Sequence, residues 1–267
     1  MTSAGKPLVY LILGATGSGR REIVADLIEG GLGEADRPAV LLPAAEGADP
    51  VDGRLPAVQR WTWSEGNIVA ALPGGANPVF FVTDGARSAV DQIEAFKPWL
   101  ASQGGELARI MCVVHVRLAA RHPALLAWYE ACVHFSDVVL LNRREGVENK
   151  WLSGFLGHFK KLHWPCLFEQ VREGRVRNPA LILEPQARRL SQVFDEEAFT
   201  EATMAGVGEI DDTDDEDAEG AEEEEGEAVP AVDPYFARRS GGRRVKELPD
   251  IGKFLPAEAP AEAPAAE

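Results

Sequence analysis

Gly14-Ala15-Thr16-Gly17-Ser18-Gly19-Arg20-Arg21 follows the apolar run Leu8-Val9-Tyr10-Leu11-Ile12-Leu13 and precedes a helical pattern over residues 20–29. A continuous apolar run ending in glycine reads as a strand buried on both faces. In the following segment Ile23, Val24, Leu27 and Ile28 fall on one side, and Gly30-Gly31 closes the pattern, because glycine tolerates the left-handed turn at a helix end. A strand, a glycine-rich loop and a helix form the setting in which Gly-x-x-x-x-Gly-Lys-Ser/Thr cradles phosphates. The framing glycines Gly14 and Gly19 are present, but Arg20 stands at the lysine position and Arg21 at the hydroxyl position. Arginine keeps the charge on a bulkier, planar group. A guanidinium has only donors, so it cannot replace the hydroxyl that holds Mg²⁺, the ion that neutralises phosphates in phosphoryl transfer. Three readings of the loop stand: a nucleotide or phosphate site using Gly14, Gly17, Ser18, Gly19, Arg20 and Arg21; a site for another anion; or a tight glycine turn.

Working outward, residues 39–42, 58–63, 79–82, 109–116, 138–141 and 166–169 read as strands, the second of them near an edge. Residues 88–100, 123–134, 147–162 and 185–194 read as helices. This alternation implies βαβ units and a mostly parallel sheet with helices on both faces; with the glycine loop after the first strand, an α/β fold of the P-loop NTPase type is expected. Ligands of such sheets bind beyond the carboxyl ends of the strands.

Two further segments end strands on that side. Val82-Thr83-Asp84-Gly85 lies where NTPases of this class place a metal-facing acid and a glycine that senses the γ-phosphate. Asp84 is the candidate catalytic residue, with a turn cap as its other reading. Asn142-Arg143-Arg144-Glu145 lies where GTPases use Asn-Lys-x-Asp to read guanine. Asn142 is kept, Arg143 can lie flat on a base, and Glu145 adds a methylene to the carboxylate; an exposed polar loop is the alternative.

Taken in order, these motifs resemble those of the CobW-like GTPases, the group that includes metal-insertion chaperones. Val113-Val114-His115-Val116 and Ser136-Asp137-Val138-Val139-Leu140-Leu141-Asn142-Arg143-Arg144-Glu145 match the later motifs, and the resemblance covers roughly residues 7–185. It implies binding of a purine nucleotide, GTP or GDP first, at Gly14, Gly17, Ser18, Gly19, Arg20, Arg21, Asp84, Gly85, Asn142, Arg143 and Glu145. The departures matter as much. The family's Gly-Cys-x-Cys-Cys metal motif has no counterpart, since residues 43–78 contain neither Cys nor His. A degenerate member is therefore expected: nucleotide bound with little or no hydrolysis, Mg²⁺ not required, no zinc site and no active GTPase. The alternative is a non-catalytic scaffold that recruits a protein partner.

Cys112, Cys132 and Cys166 are far apart and read as core thiols, and the five histidines show no ligand spacing. No apolar run approaches the ~20 residues that span a bilayer, so a cytoplasmic protein with no membrane association is expected. The net charge of −16 is uneven. Residues 209–227 hold 13 acids, 256–267 hold three more, and 228–255 carry +3, which leaves −3 for residues 1–208. The acidity thus belongs to a tail. Four regions follow: a nucleotide-fold domain over 1–195, an acidic disordered linker over 196–232, a basic and aromatic segment over 233–255, and a low-complexity end over 256–267. In the third, Tyr235, Phe236, Arg238, Arg239, Arg243 and Arg244 are candidate contacts to a protein partner. Nucleic acid is not expected, because five clustered bases beside 13 acids give no attraction at range.

Overall fold

The computed structural model describes residues 5–195 and 232–256. The acidic linker up to residue 231 and the end beyond Pro256 lie outside the described residues. In chain order the elements are β1 (Leu8–Gly14), α1 (Arg20–Gly31), β2 (Ala39–Pro43), β3 (Val58–Ser64), β4 (Asn67–Val69), β5 (Val79–Val82), α2 (Ala89–Ser102), β6 (Glu106–His115), α3 (Val116–Arg121), α4 (Leu125–His134), β7 (Val138–Asn142), α5 (Asn149–Lys161), β8 (Leu167–Gln170) and α6 (Pro179–Leu183). Short 3-10 turns cover Pro50–Arg54 and Ile251–Phe254.

The strands form one sheet in the order β4-β3-β2-β5-β1-β6-β7-β8. Every neighbouring pair is parallel except β3 with the edge strand β4. Both faces are covered, as the apolar runs require. Along β1, Val9, Leu11 and Leu13 join a core with Val90, Phe96, Trp128 and Phe159, while Tyr10 and Ile12 join a second core with Ile23, Leu27 and Ile182 on the other face. That division is the period-two alternation of a strand expressed as two separate cores.

Three expectations are corrected. The strand read over 109–116 starts earlier, at Glu106, and stops at His115, where the chain turns directly into α3. The imidazole Nδ1 of His115 accepts the Leu118 N–H at 3.2 Å and caps this helix, satisfying one of the donors a helix start leaves open. The hairpin strand β4 is an addition that its short, mixed sequence did not announce. No helix forms over 185–194; the helix is α6, with Asn178 as cap and Pro179 in its first turn. Pro185 disfavours helical geometry at Glu184. The chain beyond it is held instead by Asp137, whose Oδ1 accepts the Arg188 N–H at 2.6 Å and lies 3.3 Å from Arg189 Nη1. Fully buried Asp137 also accepts the Ile110 N–H at 2.7 Å, joining β6 to the start of β7.

Candidate phosphate-loop site

With β1 between β5 and β6, the loop after β1 lies at the middle of the sheet's carboxyl edge. Segment 83–85, the end of β6 and the loop after β2 surround it. Gly19 adopts φ +90°, and a Cβ there would collide with Asn142 Nδ2. Asn142 Nδ2 in turn donates to the Ser18 carbonyl at 2.8 Å. The asparagine of the expected base-reading segment therefore ties that segment to the phosphate loop. Gly85 makes the second close approach. A Cβ on it would strike Thr16 N, whose N–H donates to the Gly85 carbonyl at 3.2 Å.

Both arginines of the loop are buried and engaged. Arg20 donates from Nη1 to the Thr83 carbonyl and from Nη2 to Glu46 Oε1. The same Glu46 oxygen accepts the Gly85 N–H at 2.9 Å and faces Thr16 Oγ1 at 3.5 Å. Arg21 spans both oxygens of Asp52, at 2.9 and 3.1 Å from Nη1, and reaches Glu46 Oε2 at 3.5 Å. Arg60 closes the network from β3, 2.7 Å from Asp52 Oδ2 and 3.0 Å from the Glu46 carbonyl. Burial pushes the Glu46 carboxyl up, but the Arg20 charge and the Gly85 N–H outweigh it and hold it below the usual carboxylate range. Glu46 is thus an anion held by two guanidinium groups and an amide, as a buried carboxylate must be.

The other candidates are placed as follows. Asp84 is buried; its Oδ1 accepts the Ala86 N–H at 3.0 Å and its Oδ2 lies 2.8 Å from Arg87 Nε, the geometry of a turn cap. Arg143 turns back to ion-pair with Glu22 on α1, and Glu145 is exposed. Gly14 ends β1, and Gly17, Ser18 and Gly19 lie in the loop; Ser18 Oγ is buried and, among the described residues, has no hydrogen-bond partner. Beside the loop opens a cavity of about 1080 Å³ whose lining includes Thr16, Glu46, Arg87, His115, Arg117 and Leu255. Its volume suits a nucleotide-sized ligand. His115 on its wall is pushed down to about 4, first by burial and then by the charges of Arg117 and Arg143, so it is neutral near pH 7.

The fit to the two implied groups differs. Backbone amides at the start of α1 and the orphaned Ser18 hydroxyl suit an oxyanion. Mg²⁺ does not fit: the position that should supply a hydroxyl holds a guanidinium bound to two carboxylates. Among the described residues no group of three or more His, Cys, Asp or Glu is arranged to hold a metal ion.

Sequence reasoning missed Glu46, Asp52 and Arg60. For Glu46 the available signal was an acid in the small-residue stretch Ala44-Ala45-Glu46-Gly47-Ala48, placed after a strand where ligands of parallel sheets gather; Asp52 and Arg60 left none.

The segment 233–255 packs on the body. Tyr235 is buried against His134 and Phe135, and Phe236 stacks on Phe135 with ring centroids 5.2 Å apart. Arg244 pairs with Asp91 and Glu94 on α2, and Arg238 reaches Glu94 at 2.6 Å. Asp233 accepts from Ser191 Oγ at 2.6 Å and lies 2.9 Å from His134 Nε2. Of the candidate partner contacts, only Arg238, Arg239 and Arg243 remain at the surface.

No family model and no curated protein matches the chain. Solved structures do. The zinc-bound YjiA GTPase from E. coli is 11% identical, over 69% of this chain and 67% of that chain, with a TM-score of 0.40. A zinc-bound triple mutant of the YjiA GTPase is 13% identical over the same shares, with a TM-score of 0.38. At these values the likeness carries no inference about chemistry, and the zinc is a feature of those structures alone. No helix among the described residues is long and apolar enough to cross a membrane.

Proposed function

We propose that this chain is a non-hydrolysing nucleotide-binding protein of the P-loop type, which takes a purine nucleotide, GTP or GDP first, without Mg²⁺ and without a cysteine metal site. The observation that carries this reading is the fixed state of Arg21. It occupies the position of the metal-binding hydroxyl and spans both oxygens of Asp52. Phosphoryl transfer depends on a cation that bridges and neutralises the phosphates, and a cation there would face a guanidinium. Asp84, the remaining acid of the metal-facing motif, is occupied by Arg87 and the Ala86 amide. Binding is supported by the loop's glycines, the unsatisfied Ser18 hydroxyl and the adjoining cavity.

Isothermal titration of the full chain with GTP, GDP, ATP and ADP tests the binding half. Heat with at least one purine nucleotide is the expected result, and no heat with any of them overturns it. A phosphate-release assay tests the other half. The expected result is release no faster than a buffer blank; turnover that Asp84→Ala abolishes would show a working GTPase.

A second reading is favoured by one specific observation: the chain's own Glu46 already satisfies the loop's cations. Under it the fold is a scaffold for a protein partner, with Arg239 and Arg243 among the exposed contacts. The same titration separates the two, since a scaffold gives no heat with nucleotide.

A further inference from the structure

We propose that Glu46 is the specificity residue of the phosphate loop, a built-in surrogate for a terminal phosphate that makes the site select nucleoside diphosphates over triphosphates. The inference rests on the nucleotide-binding reading and deepens it. On the nucleotide reading, the last phosphate of a triphosphate meets the cation at the lysine position, the amide of the glycine expected to sense it, and the loop residue beside them. Here these are Arg20, Gly85 and Thr16. All three meet one carboxylate oxygen, Glu46 Oε1.

A carboxylate and a terminal phosphate are both compact oxyanions that take charge-assisted hydrogen bonds from a guanidinium and a backbone amide. They cannot share these donors. A triphosphate must expel a buried anion from its partners or lie against it, with like charges in contact. A diphosphate ends one phosphate earlier, so it can rest on the amides at the start of α1 with Glu46 in place. The second Glu46 oxygen is held by Arg21, and the Glu46 carbonyl accepts from Arg60, so its backbone is fastened as well as its side chain. Arg20 donates to the surrogate, and Arg21, at the lost metal position, supplies the second charge that keeps it in place.

The test is isothermal titration of the full-length protein with GDP and GTP in EDTA, using wild type, Glu46→Gln and Glu46→Ala. Circular dichroism first establishes that each variant is folded. Wild type is expected to bind GDP about ten-fold or more tighter than GTP, a preference worth roughly 1.4 kcal/mol. Glu46→Ala brings the two affinities together by tightening GTP. Glu46→Gln, which keeps the shape and loses the charge, moves GTP part of the way. If Glu46→Ala fails to fold, Arg20→Lys combined with Glu46→Ala removes the oversized unpaired guanidinium and replaces it in the series. Equal GTP and GDP affinities in wild type, or a ratio that both variants leave unchanged, overturns the proposal. Binding by Glu46→Ala where wild type binds neither nucleotide overturns diphosphate selection, because Glu46 then shuts out GDP as well as GTP, and it overturns nucleotide binding by the native chain. Folded wild type and variants that all bind nothing overturn both.

Discussion

The backbone N–H of Gly85 donates to the side chain of Glu46 at 2.9 Å, joining the segment after β5 to the loop after β2 across the mouth of the phosphate loop. Arg20 binds the same oxygen, so three separate segments of the carboxyl edge meet on one negative charge. The site is therefore an ionic knot as well as a candidate ligand site, and its members should matter to folding.

Removing Glu46 should cost far more than removing a carboxylate at the surface. The Arg20–Glu46 side chains are 3% and 12% exposed, while those of the Arg54–Glu29 pair are 46% and 50% exposed. Stripping one partner from a buried pair leaves an uncompensated charge and costs about 3–5 kcal/mol. An exposed pair contributes about 1 kcal/mol or less. Urea denaturation of Glu46→Ala and Glu29→Ala should show that separation, and equal losses would place Glu46 outside a buried network.

Two glycines of the loop make a matched comparison. Gly17 has φ +77° with nothing within 4 Å of an added Cβ, whereas Gly19 has φ +90° and would clash with Asn142. Gly17→Ala should cost about 1–2 kcal/mol from backbone strain alone. Gly19→Ala adds a collision and should cost about 3 kcal/mol. A Gly19→Ala/Asn142→Ala double variant that recovers part of this loss would identify Asn142 as the obstacle.

Acid should weaken the fold in two windows. The folded-state value of His115 is about 4 against the ordinary 6.5. Between these pH values the unfolded chain binds the proton first, so stability falls as pH drops from 6.5 toward 4. The Glu46 carboxyl is held below the usual range, so its contribution is present above that range and is lost as pH falls through the lowered value. His115→Asn keeps a capping side chain for α3 and removes the titration. Melting temperature followed from pH 7 to pH 4 should slope less in this variant than in wild type, and identical slopes would exclude His115 as the source.

The tail segment should behave as part of the body. Sequence alone suggested a separable docking segment, yet Tyr235 is buried and Arg244 is paired with Asp91 and Glu94. Tyr235→Ala should cost about 3 kcal/mol, the usual penalty for deleting a large core ring. Deleting residues 232–267 should lower the melting temperature and expose Phe135 to a hydrophobic dye. A deletion that melts like wild type would return the segment to the status of an independent tail.

What was legible in the sequence was set by continuous local pattern. β1, β5 and β7 are apolar runs buried on both faces, and each lies within a residue or two of its expected limits. The loop glycines were legible too, because backbone conformation and close approach leave a mark on residue type. Glu46 and Asp52 were not, because their meaning depends on β2 pairing beside β5 and bringing a distant loop over the site. The helix read over 185–194 failed for a related reason: its local pattern yields to Asp137, about fifty residues earlier, which fastens Arg188. The basic tail looked free because its acidic partners lie on α2, far away in the chain.

If nucleotide is held without a metal, GDP titrated in EDTA and again in millimolar Mg²⁺ gives one dissociation constant. Arg21, bound to Asp52 and Glu46 where a hydroxyl would ligate the ion, leads to the same constant in both buffers. An affinity about ten-fold or more higher with Mg²⁺ would contradict that account and place a metal at the loop after all.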